Sequence, residues 1–152
     1  MPYLIDGNNL MPHVQAATRR ELLEKVSQFA QIERVKVSVI FDGAEEQSFP
    51  DGARYKGVNV FYSKGFADAD GRIKNFVESS KNRRALTVVS SDNALINFCR
   101  ARGTKIVRSP EFRRKIEITE INQIESTRHR GVKNDDISDW LRYFGIDNSD
   151  EP

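Results

Sequence analysis

The sequence predicts an α/β fold in which a central, mostly parallel sheet is flanked by helices. Three observations carry the prediction. Short β-branched, apolar runs alternate with longer stretches of helical periodicity, the pattern of repeated βαβ units. Gly and Pro punctuate the junctions between them. Aspartates recur where successive strands should end, the edge at which an open parallel sheet binds its ligands.

The first strand is Tyr3-Leu4-Ile5, stopping at Asp6-Gly7. A helix follows over Arg19 to Gln31, with Leu22, Leu23, Val26, Phe29 and Ala30 on its inner face. Thr18 and Glu21 have the spacing of a capping box. Val35 to Phe41 is the second strand, ending at Asp42-Gly43, and a polar loop runs from Ala44 to Gly57. Val58 to Tyr62 is the third strand. Ala69 to Ser80 is a helix with Ile73, Phe76 and Val77 inward. Ala85 to Val89 is a strand, and Asn93 to Arg102 a helix with Leu95, Phe98 and Cys99 inward, closed by Gly103. Thr104 to Val107 is a short strand. Ser109-Pro110-Glu111 reads as the N-cap and first turn of another helix. A C-terminal amphipathic helix is expected over 134–144, from its cap Asn134 through Ile137, Trp140, Leu141 and Phe144 to Gly145. It either docks on the core or meets a partner or a second copy of the chain. A polar, acidic tail follows.

The 152 residues, 38% hydrophobic and 30% charged, suit one domain with its own core. The N-terminus lacks the basic start and apolar stretch of a signal peptide, and no run is apolar enough to span a bilayer. The single Cys99 allows no intrachain disulfide and no thiolate zinc site. A cytoplasmic protein with no membrane partner is the expectation. The net charge of +2 says little, but from Lys81 to Lys133 thirteen basic residues face five acidic ones. Such a stretch suits a polyanion-facing surface or, equally, an ordinary solvated face.

Asp6, Asp42 and Asp92 each follow a strand, and Asp70 opens the helix that should enter from the same edge, with Asp68 just before it. Singly, each has an ordinary reading: Asp-Gly turns for Asp6 and Asp42, helix caps for Asp70 and Asp92. Together, converging carboxylates repel unless a cation sits among them. Oxygen-only ligands favour a hard ion, Mg²⁺ or Mn²⁺, which activates water and stabilises the oxygens of an in-line phosphoryl displacement.

The same residues resemble a known family. Tyr3-Leu4-Ile5-Asp6-Gly7-Asn8-Asn9-Leu10 resembles the opening signature of NYN domains, which belong to the PIN-like nucleases. Val39 to Gly43, Ser63 with Ala69 to Ile73, Val88 to Asp92, and Gly103 with Ser109 to Phe112 resemble the later motifs in order and spacing. The likeness runs from about Tyr3 to Lys115 and points to the bacterial YacP-like branch. It implies a Rossmann-like PIN/NYN domain over 1–125, with 126–152 as a C-terminal extension. It also implies endoribonuclease activity with a Mg²⁺ or Mn²⁺ site leaving 5′ phosphates. Carried over by position, Asp6, Asp70 and Asp92 become the metal carboxylates, and Asn9 orients Asp6 or binds phosphate. Asp42 serves the turn or the site. Asn8 stands where the family carries an aromatic ring.

Ser90 or Ser91 is placed to bond a scissile phosphate oxygen, although Ser91 also suits simple turn closure. Arg54, Lys56, Lys64, Arg72 and Lys74 are candidate RNA contacts, each with solvated loop charge as its plain alternative. Tyr55, Phe66 and Phe49 are loop aromatics that either stack on bases or fold onto the core. The implied partner is RNA, with mRNA on the ribosome as one setting and a homodimer as another candidate assembly. Histidine acid–base chemistry is disfavoured, since only His13 and His129 exist. Two readings compete with the nuclease: a catalytically silent RNA- or ribosome-binding module of the same fold, and an interaction protein built around the Trp140 helix.

Overall fold

The computed structural model describes residues 2–131, with side chains as far as Glu125. Its elements are β1 (Tyr3–Asp6), α1 (Gly7–Leu10), a 3-10 turn (Met11–Val14), α2 (Arg19–Glu33), β2 (Val37–Phe41), β3 (Arg54–Tyr55) and β4 (Val58–Tyr62). Then come α3 (Ala69–Ser79), a 3-10 turn (Arg83–Ala85), β5 (Thr87–Val89), α4 (Asn93–Ala101), β6 (Lys105–Val107) and α5 (Ser109–Gly131). The expected helix over 134–144 with Trp140, and the tail beyond it, lie outside the described residues, as does the side chain of His129.

The sheet order is β3-β4-β2-β1-β5-β6. All neighbours are parallel except β3, which pairs antiparallel with β4. The predicted α/β fold with a mostly parallel sheet is therefore present. β1 lies between β2 and β5, so the chain builds outward on one side of β1 and then crosses to the other. Open parallel sheets bind their ligands at such a reversal, beyond the carboxyl ends of the strands, here β1 and β5.

Side-chain alternation divides the strands between two apolar layers. Ile5, Val37, Val39, Phe41, Val60 and Val89 pack with α2 and α5, through Leu22, Val26, Phe29, Phe112 and Ile116. Leu4, Ile40 and Val88 face the other way, onto Ile73, Val77, Leu95 and Cys99 of α3 and α4. Tyr3, Phe29 and Phe112 lock α2 and α5 to the sheet as an aromatic triangle, with centroids 4.8 to 5.8 Å apart. Beyond Ile116 the apolar residues of α5 turn outward, and Ile118, Ile121 and Ile124 are exposed. No described helix is long and apolar enough to cross a membrane.

Several boundaries differ from the sequence reading. The second strand starts at Val37 rather than Val35, and β5 starts at Thr87 because Arg83–Ala85 forms a 3-10 turn. The polar loop hides β3, joined to β4 by Lys56-Gly57, both at positive φ (47° and 88°). That is the geometry of a two-residue type I′ hairpin. Thr18 caps α2 as expected, accepting from the Glu21 amide at 3.1 Å, but Glu21 reaches back to the amide of Ala17 rather than Thr18. Ser109 is not an N-cap. The Arg108 carbonyl already accepts the first helical bond, from Phe112 N at 2.9 Å, so Ser109 lies inside the helix and its hydroxyl is free for other work.

Candidate active site

The carboxyl ends of β1, β2 and β5 bring Asp6, Asp42 and Asp92 to one mouth, and α3 enters it with Asp68 and Asp70. Asp6 is 5% exposed, at the end of β1. The chain can turn directly into α1 there because residue 7 is glycine: a Cβ at Gly7 would stand 2.6 Å from the Phe41 ring. Gly7 is thus needed for close approach and not for a left-handed turn. Gly43, by contrast, does sit at φ +93°, so the Asp42-Gly43 turn is the one that needs a glycine for its backbone.

The five aspartates do different jobs. Asp42 accepts from the Ala69 amide at 2.5 Å, and Asp68 accepts from the Gly71 amide at 2.9 Å. Both satisfy the open N-terminus of α3. Asp68, not Asp70, is therefore the cap of α3, and the capping alternative for Asp70 falls away. Asp92 does cap α4, accepting from Leu95 N at 2.9 Å. Asp6 and Asp70 are left facing each other.

Burial pushes the Asp6 carboxyl up to about 7, and the Asp70 charge adds to the rise, with a smaller contribution from Asp42. The Ser90 hydroxyl, donating to Asp6 Oδ2 at 3.2 Å, and the Asn9 amide pull it back. Burial also raises Asp70, followed by the charges of Asp92 and Asp68, while Lys74 opposes the rise. The Asp70 carboxyl lies near enough to that of Asp6 for the two to influence each other's titration. Two carboxylates short of counter-charge at a sheet mouth favour a cation between them.

Among the described residues, no three acidic, histidine or cysteine side chains gather tightly enough to enclose an ion alone. Mg²⁺ does not require that. It keeps several waters and typically takes one or two protein carboxylates, with substrate phosphates completing its shell. The Asp6–Asp70 pair fits such an ion.

Asn9 ties the site's loops together. Its Oδ1 accepts from the Ser91 amide at 2.9 Å and from the Ser109 hydroxyl at 2.7 Å. Ser91 Oγ in turn accepts from Ser109 N at 3.1 Å. The turn before α4 and the start of α5 are thus fixed to the chain just after β1. Ser90 is fully buried and bridges Asp6 to the Asp92 amide, which donates to its Oγ at 3.1 Å. Asn8 accepts from the Asp42 amide at 3.0 Å, and Gly43 N donates to Ser63 Oγ at 3.3 Å. Sequence reasoning missed these positioning duties of Asn8, Ser90 and Ser109. Only the polar character of the three residues hinted at them.

The candidate RNA contacts do not form one group. Lys64 lies just beyond β4 at the carboxyl edge, and Lys74, one turn into α3, is near enough to act on Asp70. Arg72 is engaged: it grips Asp51 through both terminal nitrogens (2.5 and 3.3 Å) and donates to the Tyr62 carbonyl at 2.6 Å. Lys56 pairs with Glu24 at 2.7 Å in the hairpin before β4, at the opposite edge of the sheet, with Arg54 two residues before it on β3. Of the aromatics, Phe49 is buried and packs on Tyr55. Phe66 is 39% exposed, in a turn closed by its amide on Ser63 O at 2.7 Å with Gly65 at φ +79°, the pattern of a type II turn.

No curated protein matches the chain. Among solved structures, Rae1 (YacP) from Bacillus subtilis is similar at 21% identity, with a TM-score of 0.62 over 95% of this chain and 92% of that one. A single-residue variant of the same protein gives 19% identity and a TM-score of 0.67 over 93% and 90%. At these identities the likeness shows the fold. The model of the YacP-like NYN domain, a nuclease-type fold, matches residues 4–142, and the chain belongs to that family.

Proposed function

We propose that the chain is a divalent-metal-dependent endoribonuclease whose reaction centre is the Asp6–Asp70 pair. The observation that carries the reading is the buried Asp6 carboxyl raised to about 7 beside Asp70, at the switch point of the sheet. Family membership supports RNA as substrate or partner, and domains of this class generally use divalent metals. Asp6 and Asp70 would hold Mg²⁺ or Mn²⁺, with Asp92 at the outer rim. When bound, such an ion supplies an activated water and charge stabilisation for in-line displacement at phosphorus.

The chain's own residues do the rest. Ser90 keeps one Asp6 oxygen oriented, which leaves the other for the ion or a proton. Asn9 holds Ser91 in place by its amide, and the Ser91 hydroxyl, which accepts from Ser109 N, keeps its own proton to donate to a phosphate oxygen. Lys74, already near Asp70, and Lys64 are the cations best placed along the RNA path, and Phe66 offers an exposed ring to an unpaired base. Arg72 serves that path indirectly, by fixing Asp51 and the end of β4.

The test is cleavage of mixed single-stranded and structured RNA with Mg²⁺ or Mn²⁺, with Asp70→Asn in parallel and product ends sequenced. The expected result is 5′-phosphate products, abolished by EDTA and reduced at least about a hundredfold in the variant, the upper range for disturbing even an outer-sphere partner of a metal. Equal cleavage by both proteins would refute the assignment of the site. RNA binding without any cleavage would favour the silent binding module.

A further inference from the structure

Five of the basic residues that crowd the sequence from Lys81, namely Lys81, Arg83, Arg84, Arg102 and Lys105, lie away from the aspartate mouth. The parallel strands begin in register at Tyr3, Val37, Val58, Thr87 and Lys105, which defines an amino edge opposite the site. α3 and α4 run from the mouth towards that edge, so the segments that follow them meet there. They border an open concavity of about 470 Å³ lined by Ser80, Lys81, Asn82, Arg83, Arg84 and Arg102. Arg84 Cγ lies 3.7 Å from where a Cβ would stand at Gly103, which joins the two segments. Lys105 begins β6 beside them, its amide on the Leu86 carbonyl at 3.1 Å.

Part of this charge has a plain structural use. Arg83 donates to the Val77 and Glu78 carbonyls at 3.2 and 3.1 Å, and Arg102 to the Phe98 carbonyl at 3.1 Å, each closing a helix C-terminus. Both also pair with Glu78. Lys81, Arg84 and Lys105 have no such use. All three are exposed, and among the described residues none makes an ion pair or a side-chain hydrogen bond. Glu78 and Asp92 are the only acids from Glu78 to Lys105, and Asp92 is at the other edge. The 11 residues of α3 separate the two edges by about 16 Å, twice the Debye length of about 8 Å at physiological salt. Cations here do not serve to neutralise the aspartates.

We propose that this amino-edge cluster is a second RNA-docking surface, holding the phosphates of a strand at a distance from the aspartate mouth. The inference rests on RNA being the ligand, as proposed above, but not on cleavage. The concavity offers lysine, arginine, amide and hydroxyl donors, the set that contacts phosphate and sugar. It includes no large exposed apolar side chain of the kind that anchors a protein in a lipid surface.

The experiment is binding of a fluorescent single-stranded RNA across a salt series in the Asp70→Asn background, with and without Lys81→Glu, Arg84→Glu and Lys105→Glu together. The slope of log K against log salt is expected to flatten by about 0.7 for each phosphate no longer neutralised, about 2 for all three, with affinity down at least about tenfold. Circular dichroism checks the fold, and the Gln versions carry the same expectation should the Glu variant unfold. An unchanged slope and affinity overturns the proposal. So does unchanged RNA binding with loss of binding to phosphatidylserine vesicles, which would make the patch a membrane surface. Because the background variant is built not to cleave, failure of the nuclease reading leaves this result standing.

Discussion

The Asp6→Asn substitution probes the electrostatic tension at the mouth directly. The carboxyl has a folded value of about 7 against an ordinary 3.8. Between those values the native state keeps a proton that the unfolded chain has already lost. Stability must therefore fall as pH rises through this window, and stay flat above it. Three pH units at 1.36 kcal/mol each give a full penalty of about 4 kcal/mol, of which about 3 falls between about pH 4.5 and pH 8. Asparagine cannot ionise, so the variant lacks this slope. Comparing one variant across two pH values also cancels the fixed cost of the amide beside Ser90. The assay is urea unfolding of both proteins in EDTA at the two pH values. The variant should gain on wild type by about 3 kcal/mol from the lower to the higher pH. Adding Mg²⁺ or Mn²⁺ at the higher pH should restore wild type and leave the variant unmoved. A difference between the two proteins that is the same at both pH values would show that burial and Asp70 do not hold the Asp6 proton, and the argument for a cation there would fail with it.

Two smaller perturbations test how the mouth is built. Gly7→Ala places a methyl 2.6 Å from the Phe41 ring and 3.0 Å from Val39 Cγ1, so thermal unfolding should show a loss of about 1–3 kcal/mol; a neutral result would mean β1 does not pass that close to β2. Asp68→Ala removes the cap of α3 and should cost about 1 kcal/mol in denaturant unfolding, while metal-dependent protection by Asp6 and Asp70 persists; loss of that protection would make Asp68 a ligand instead.

The strands and helices were legible because their periods are clean. Leu22, Val26 and Phe29 mark a helix face, and Val37, Val39 and Phe41 mark one side of a strand, whatever the fold around them. What could not be read were features that depend on residues far apart in the chain. β3 is two residues long, and it exists only because Lys56-Gly57 turns it back onto β4. The role of Ser109 is another case. From the sequence, Ser-Pro-Glu is a helix start, and the start is there; the hydroxyl, however, reaches Asn9, across almost the whole chain. Arg72 and Lys56 looked like free cations until the fold supplied Asp51 and Glu24 as partners.

The carboxylates of the aspartate cluster are not equivalent. Each helix that enters the mouth arrives N-terminus first, with open amides and a partial positive charge. Asp42 and Asp68 meet that demand for α3, and Asp92 meets it for α4. Each has one carboxylate oxygen on a backbone donor. Asp6 and Asp70 are different. Asp6 has one hydroxyl and one amide for company, Asp70 has Lys74, and both are pushed upward by burial and by neighbouring carboxylates. The end of α3 that Asp42 and Asp68 cap also carries Asp70. A mouth built this way leaves Asp6 and Asp70 as the pair whose carboxyls are both raised, and the divalent ion proposed there would relieve that tension.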